Sequence, residues 1–157
     1  MIYLEKKDES NDHMKILIDA DACPVTDIAV KIAKEYSIEC IILCDTAHFI
    51  VRDGASTVTV EKGADSVDFR LVNMVENGDI AVTQDYGLAA MCLAKKAVPI
   101  NQNGLIFTDK NIEELLYTRF VSKKIRMAGG RTKGPKKRTK EQDIEFEKKL
   151  RMLIEGA

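Results

Sequence analysis

Histidine is scarce in this 157-residue chain, which has only His13 and His48. A nucleophilic serine or cysteine needs a base to take its proton, so that class of catalysis has little to work with. His13 falls in a polar, acidic lead-in, Met1 to His13, that reads as a flexible extension. The four cysteines, Cys23, Cys40, Cys44 and Cys92, include no C-x-x-C pair, which excludes zinc-ribbon and thioredoxin-like sites. They read as buried, reduced thiols. Cys23 stands apart because it lies beside two aspartates. No apolar run approaches the ~20 residues that span a bilayer. The lead-in also lacks the apolar middle of a signal peptide. No membrane association is therefore expected, and the cytoplasm is the expected location.

Hydrophobic residues at 45% and charged residues at 31% are the proportions of a soluble globular protein, and the length suits one domain over residues 14–154. A net charge of −1 conceals an uneven distribution. Residues 14–118 carry 9 Lys/Arg against 16 Asp/Glu, a balance of −7, whereas residues 119–140 carry 10 Lys/Arg and no acid. An acidic body joined to a basic segment suits a polyanion held over a metal site.

Hydrophobic periodicity predicts alternating strands and helices. Strands are expected at 16–19, 40–44, 57–60, 80–83 and 97–100, with 105–107 as a further short strand or edge. Helices are expected at 24–36, 64–77, 86–96, 109–126 and 140–154. The fourth helix, capped by Thr108 or Asp109, is expected to turn Ile112, Leu115, Leu116 and Phe120 inward, and the last offers Ile144, Phe146, Leu150 and Leu153 for docking. A Gly-rich basic loop, 127–139, separates these two helices. The pattern implies an α/β fold, a three-layer α/β/α sandwich around a mostly parallel sheet with right-handed crossovers.

The richest stretch runs from Lys15 to Pro24. Three apolar residues, Ile16, Leu17 and Ile18, make a buried strand, and Asp19 and Asp21 follow it directly. A carboxylate at the mouth of a central strand is costly to desolvate and usually has a partner such as a metal ion. Asp65 and Asp68, three apart, share a helix face, and Asp85 follows Thr83-Gln84 at the end of another strand. In a parallel sheet these groups gather at one edge, where ligands bind. Clustered carboxylates stay ionised together only around cations, and oxygen-only donors suit Mg²⁺ or Mn²⁺ better than Zn²⁺. Two such ions about 3.5–4 Å apart can activate water and stabilise a leaving oxygen in phosphodiester hydrolysis. Asp19, Asp21, Asp65, Asp68 and Asp85 are thus the candidate catalytic and metal-binding residues, with Thr83 and Cys23 in support. Competing uses are helix caps for Asp21 and Asp65 and a solvated face for Asp68. Asp27, Asp45, Asp53, Asp79 and Asp109 read as ordinary caps and turns. His48 suits a loop or buried position better than a substrate contact.

Four motifs carry a resemblance. They are Asp19-Ala20-Asp21-Ala22-Cys23-Pro24-Val25, Gly63-Ala64-Asp65-Ser66-Val67-Asp68, Thr83-Gln84-Asp85-Tyr86-Gly87-Leu88-Ala89 and Gly129-Gly130-Arg131-Thr132-Lys133-Gly134-Pro135. Together they make the chain from Met14 to about Ile154 resemble the YaiI/YqxD family of uncharacterised bacterial proteins, which looks related to the PIN-like (and NYN) nuclease fold. The resemblance implies a PIN-like domain with an acid after strand one (Asp19), an acid in a middle helix (Asp65 or Asp68) and a Thr-x-Asp after a later strand (Thr83 and Asp85). Thr83 would then buttress the site by hydrogen bonding. Asp21 and Cys23 are additions to the general PIN pattern. PIN-like domains often pair, so the resemblance also admits a homodimer.

In the basic segment, Arg131, Thr132, Lys133, Lys136, Lys137 and Arg138 are the expected substrate contacts, on a loop whose Gly129, Gly130, Gly134 and Pro135 let backbone amides and long cations follow phosphates. Aromatics are few in this segment, which argues against a base-stacking single-strand reader. The leading expectation is a metal-dependent nuclease, with RNA ahead of DNA as partner. The alternatives are a haloacid-dehalogenase-like phosphatase, which also begins with Asp-x-Asp, and a non-catalytic RNA-binding or regulatory module.

Overall fold

The computed structural model describes residues 14–61, 66–130 and 137–156. Five strands, β1 (Lys15–Asp19), β2 (Glu39–Asp45), β3 (Ser56–Val60), β4 (Ile80–Val82) and β5 (Val98–Ile100), form one sheet in the order β3-β2-β1-β4-β5. All four neighbouring pairs are parallel. The helices are α1 (Thr26–Glu35), α2 (Ser66–Met74), α3 (Tyr86–Ala94), α4 (Asp109–Met127) and α5 (Lys140–Glu155). A 3-10 turn, Thr46–His48, follows β2.

β1 is central because both of its faces are apolar: Ile16, Leu17 and Ile18 are all fully buried. Successive side chains point to opposite faces. Ile16, Ile18, Cys40, Ile42 and Val82 therefore pack with Ala29, Ile32 and Ala33 of α1 and Phe146 and Leu150 of α5. Leu17, Ile41, Leu43 and Ala81 pack on the other side with Leu71 of α2 and Leu88 and Cys92 of α3. That is the three-layer α/β arrangement expected from the periodicity. α4 lies outside these layers, resting its first turns on α3 and Phe107 through Ile112, Leu115 and Leu116.

Several expectations change. α1 begins at Thr26, and Pro24 sits in the turn before it. α2 ends at Met74, short of Asn77-Gly78, where the Asp79 carboxylate accepts the Glu76 amide hydrogen. The 105–107 segment makes one antiparallel bridge, Ile106 to Ile100, in place of a strand. Phe120 is 53% exposed, because only the first half of α4 meets α3. Ile144 is exposed as well: it lies two residues, about 200° around the helix, from the docked Phe146. Thr108, rather than Asp109, caps α4, through a reciprocal capping box with Asn111.

The strand order reverses direction between β1 and β4. At such a switch point the loops leaving neighbouring strands part and open a crevice at their carboxyl ends.

Candidate functional site

The crevice is occupied by acids. A cleft of about 430 Å³ is lined by Asp19, Asp21, Asp45, Asp68 and Asp85, with Gln84, Tyr86 and Arg119 completing the polar wall. The aspartates come from the end of β1, the turn after it, the end of β2, the first turn of α2 and the start of α3. Four separated stretches of the chain thus deliver like charges to one place.

Asp19 is the innermost of them. Its Oδ2 accepts the Thr83 hydroxyl at 2.8 Å, and the same hydroxyl oxygen accepts the Asp85 amide hydrogen at 3.0 Å. Thr83 is itself buried and locks the two strand ends together. Burial pushes the Asp19 carboxyl up to about 6, against the pull of the Thr83 hydrogen bond, and the charges of Asp68, Asp85 and Asp21 raise it further. Burial, the Thr83 hydroxyl and the neighbouring carboxylates are the largest influences on it. The contrast with Asp79 is instructive. That aspartate, also buried, receives the Lys15 amide and ammonium and the Glu76 amide at the opposite end of the sheet, so it is a paired structural charge.

Asp85 has two duties. Its Oδ1 accepts the amides of Gly87 and Leu88, capping α3, and stands 3.6 Å from Arg119 on α4. Asp21 is not a helix cap, since the residue before α1 is Val25 and provides no side-chain acceptor. The loop that carries Asp21 is held across the cleft by Gln84, whose Nε2 donates to the Ala22 carbonyl at 2.7 Å. Ala22 has a φ of +56°, a left-handed conformation that a non-glycine residue adopts at a cost of about 1 kcal/mol. Asp68 lines the cleft as expected from its helix face.

Other expected residues fall elsewhere. Asp65, Arg131, Thr132, Lys133 and Lys136, like the lead-in 1–13, lie outside the described residues. Lys137 is exposed and Arg138 half-buried, and neither lines the cleft. Arg138 instead donates to Asp143, to Asn103 Oδ1 and to the Gln102 carbonyl, each at 2.7 Å, which ties the start of α5 to the turn after β5. Cys23 packs against the α1 side of the core and lines a neighbouring cavity, and burial raises its thiol, so it is not an activated thiolate.

Sequence reasoning missed Asp45 and Arg119 as cleft residues. Asp45 does serve its turn, as expected, by accepting the amides of Ala47 and His48, and its carboxyl is held low by the His48 side chain. Its place at the carboxyl end of the strand beside β1 was the available signal. Arg119 heads the basic segment 119–140, which was its signal, but its place on the cleft wall depends on how α4 crosses α3.

The donor set is all oxygen, which fits a hard divalent ion. Among the described residues no group of three or more His, Cys, Asp or Glu side chains is arranged so that it could hold a metal ion. An open cleft with carboxylates around its wall is the arrangement used by Mg²⁺, which keeps several waters and takes one or two carboxylates plus substrate oxygens.

A family model described as Uncharacterized BCR, YaiI/YqxD family matches residues 17–156. The chain belongs to the YaiI/YqxD family. Relatives named UPF0178 protein from Exiguobacterium sibiricum and Ruminiclostridium cellulolyticum are 54% and 58% identical, covering 90% of this chain and 96% and 92% of their own lengths. Among solved structures, a variant of Rae1 (YacP) from Bacillus subtilis aligns over 92% of this chain and 99% of its own. At 14% identity and a TM-score of 0.40 it carries no argument about function.

Proposed function

We propose that this protein is a divalent-metal-dependent phosphodiesterase that cleaves nucleic acid, RNA in preference to DNA. The observation that carries the reading is the convergence of Asp19, Asp21, Asp68 and Asp85 on one cleft, where burial and the neighbouring carboxylates raise the Asp19 carboxyl. A structural carboxylate at that depth would be expected to have a partner such as Lys15 is to Asp79. Mg²⁺ or Mn²⁺ held by these carboxylates supplies the missing positive charge and Lewis acidity toward a phosphoryl oxygen. Asp65 belongs to the same proposed ligand set by its spacing from Asp68.

The chain's own residues then have distinct tasks. Thr83 fixes the Asp19 carboxylate and the Asp85 backbone in one orientation. Asp85 uses Oδ1 for its cap and Arg119, which leaves Oδ2 for the ion. Arg119, on the cleft wall, is the cation best placed to meet a phosphate drawn into an acidic site. Lys123 and Lys124 follow on the same helix, and the 131–137 cations extend the track in sequence. Neutralising several phosphates makes affinity fall steeply with added salt.

The test is cleavage of labelled single-stranded and duplex RNA and DNA with Mg²⁺ or Mn²⁺. The expected result is metal-dependent cleavage, faster on RNA, lost by at least about a hundredfold in Asp19→Asn and in Asp85→Asn. Intact RNA and DNA after long incubation with wild-type protein contradicts the reading. A stable aspartyl-phosphate trapped at Asp19 would replace it with the phosphatase alternative.

A further inference from the structure

Beside the acidic cleft lies a second cavity, of about 410 Å³, lined by Ala20, Ala22, Cys23, Pro24, His48, Phe49 and Ile50. Ala22 lines both, and His48 of the second lies against Asp21 and Asp45 of the first, so the two are neighbours on either side of the turn after β1. Phe49 is 62% exposed, a large aromatic surface left in water at the rim. The residues around it are almost all apolar. The exception is His48, whose Nδ1 sits 2.9 Å from Asp45 Oδ1 and 3.9 Å from Asp21 Oδ1.

The Asp45 carboxylate is held ionised and can only accept, so His48 Nδ1 carries the hydrogen. That fixes the ring and leaves Nε2 as its second hydrogen-bonding atom. The open hollow therefore combines an exposed aromatic, apolar neighbours and a histidine ring fixed by its bond to Asp45. Flat heteroaromatic rings are recognised by this combination: the ring stacks on the aromatic and an edge group meets the polar atom.

We propose that the Phe49–His48 cavity is a nucleobase subsite, which takes the base of the nucleotide whose phosphate enters the aspartate cleft. The proposal rests on the phosphodiesterase reading for that phosphate. Its occupant follows from adjacency, because a nucleotide reaching across the turn after β1 has its anionic end at the cleft and its apolar end against Phe49. The aromatics missing from the basic segment are thus supplied by the loop after β2, on the other side of the cleft.

Phe49→Trp gives a chain with a single tryptophan, since the natural sequence has none. Its fluorescence is followed during titration with adenosine or cytidine 5′-monophosphate in Mg²⁺, with ribose 5-phosphate as the base-free control. Saturable quenching by the nucleotides and not by ribose 5-phosphate is expected. In calorimetry, Phe49→Ala weakens nucleotide binding by about tenfold and leaves ribose 5-phosphate and Mg²⁺ binding as in wild type. Unchanged nucleotide affinity in Phe49→Ala, with Mg²⁺ still bound, overturns the subsite alone. Failure of the wild type to bind Mg²⁺ overturns the subsite and the phosphodiesterase reading together. A Phe49→Ala change in sedimentation from dimer to monomer, without loss of nucleotide binding, assigns this face to a second copy of the chain and also overturns the subsite.

Discussion

Asp19 sets the chemistry of the cleft. Its carboxyl titrates near 6 in the fold, about two units above an unfolded aspartate. Between about pH 4 and pH 6 the folded state therefore holds a proton that the unfolded state has lost, and stability falls as pH rises through that window. Asp19→Asn keeps an acceptor for the Thr83 hydroxyl and removes the charge. In metal-free buffer at pH 7 it should be more stable than wild type by about 1–2 kcal/mol, allowing for partial solvent screening, and the gain should vanish near pH 4. Denaturant melts at the two pH values check this. A wild type more stable than the variant at pH 7 without metal would mean that a cationic partner has been overlooked. Thr83→Val removes both hydrogen bonds of one buried hydroxyl and should cost about 2 kcal/mol. It should also move the Asp19 titration, followed by carboxyl NMR, to still higher pH, because the lost hydrogen bond favours the ionised form. The meeting of Asp19 with the Thr83–Asp85 motif at one sheet edge was legible in the sequence, because Asp19 directly follows one apolar run and Thr83 to Asp85 end another. Asp45 also directly follows an apolar strand, but its turn-capping role, which the structure bears out, stood in the reading where its cleft position belonged as well.

At the scale of elements, periodicity identified the five strands and five α-helices of the described residues, and its errors have local causes. A pattern of apolar residues does not show what fraction of a helix will find a neighbour, so Phe120 and Ile144 were expected inside and are exposed. Nor does it separate a cation on a substrate track from one that binds its own chain. Arg138 reads as part of a basic run, yet its guanidinium joins α5 to the turn at Gln102 and Asn103 and to Asp143. Arg138→Ala should therefore lower stability by about 2 kcal/mol, the scale of charge-assisted hydrogen bonds at a partly buried site. A thermal melt combined with an RNA-binding isotherm distinguishes the roles. Lower Tm with unchanged affinity is expected, and unchanged Tm with weakened binding would return Arg138 to the substrate track. The exposed cations Lys123 and Lys124 on α4 should behave in the opposite way.

In the whole molecule, the order β3-β2-β1-β4-β5 is what turns scattered aspartates into a site. It places the ends of β1 and β4 side by side and brings the first turn of α2 and the middle of α4 to the same edge. The carboxylates gathered there repel one another, and the hydrophobic layers hold them in place against that repulsion. A divalent cation bound as proposed would relieve it. The most direct measurement is a calorimetric titration of metal-free protein with Mn²⁺ at pH 7.5 and again at pH 5.5, for wild type, Asp19→Asn and Asp85→Asn. Saturable binding by wild type, weaker at pH 5.5 because Asp19 must lose its proton, and absent in both variants, is the predicted result. No saturable heat from wild type, or binding that survives in Asp19→Asn, would contradict it.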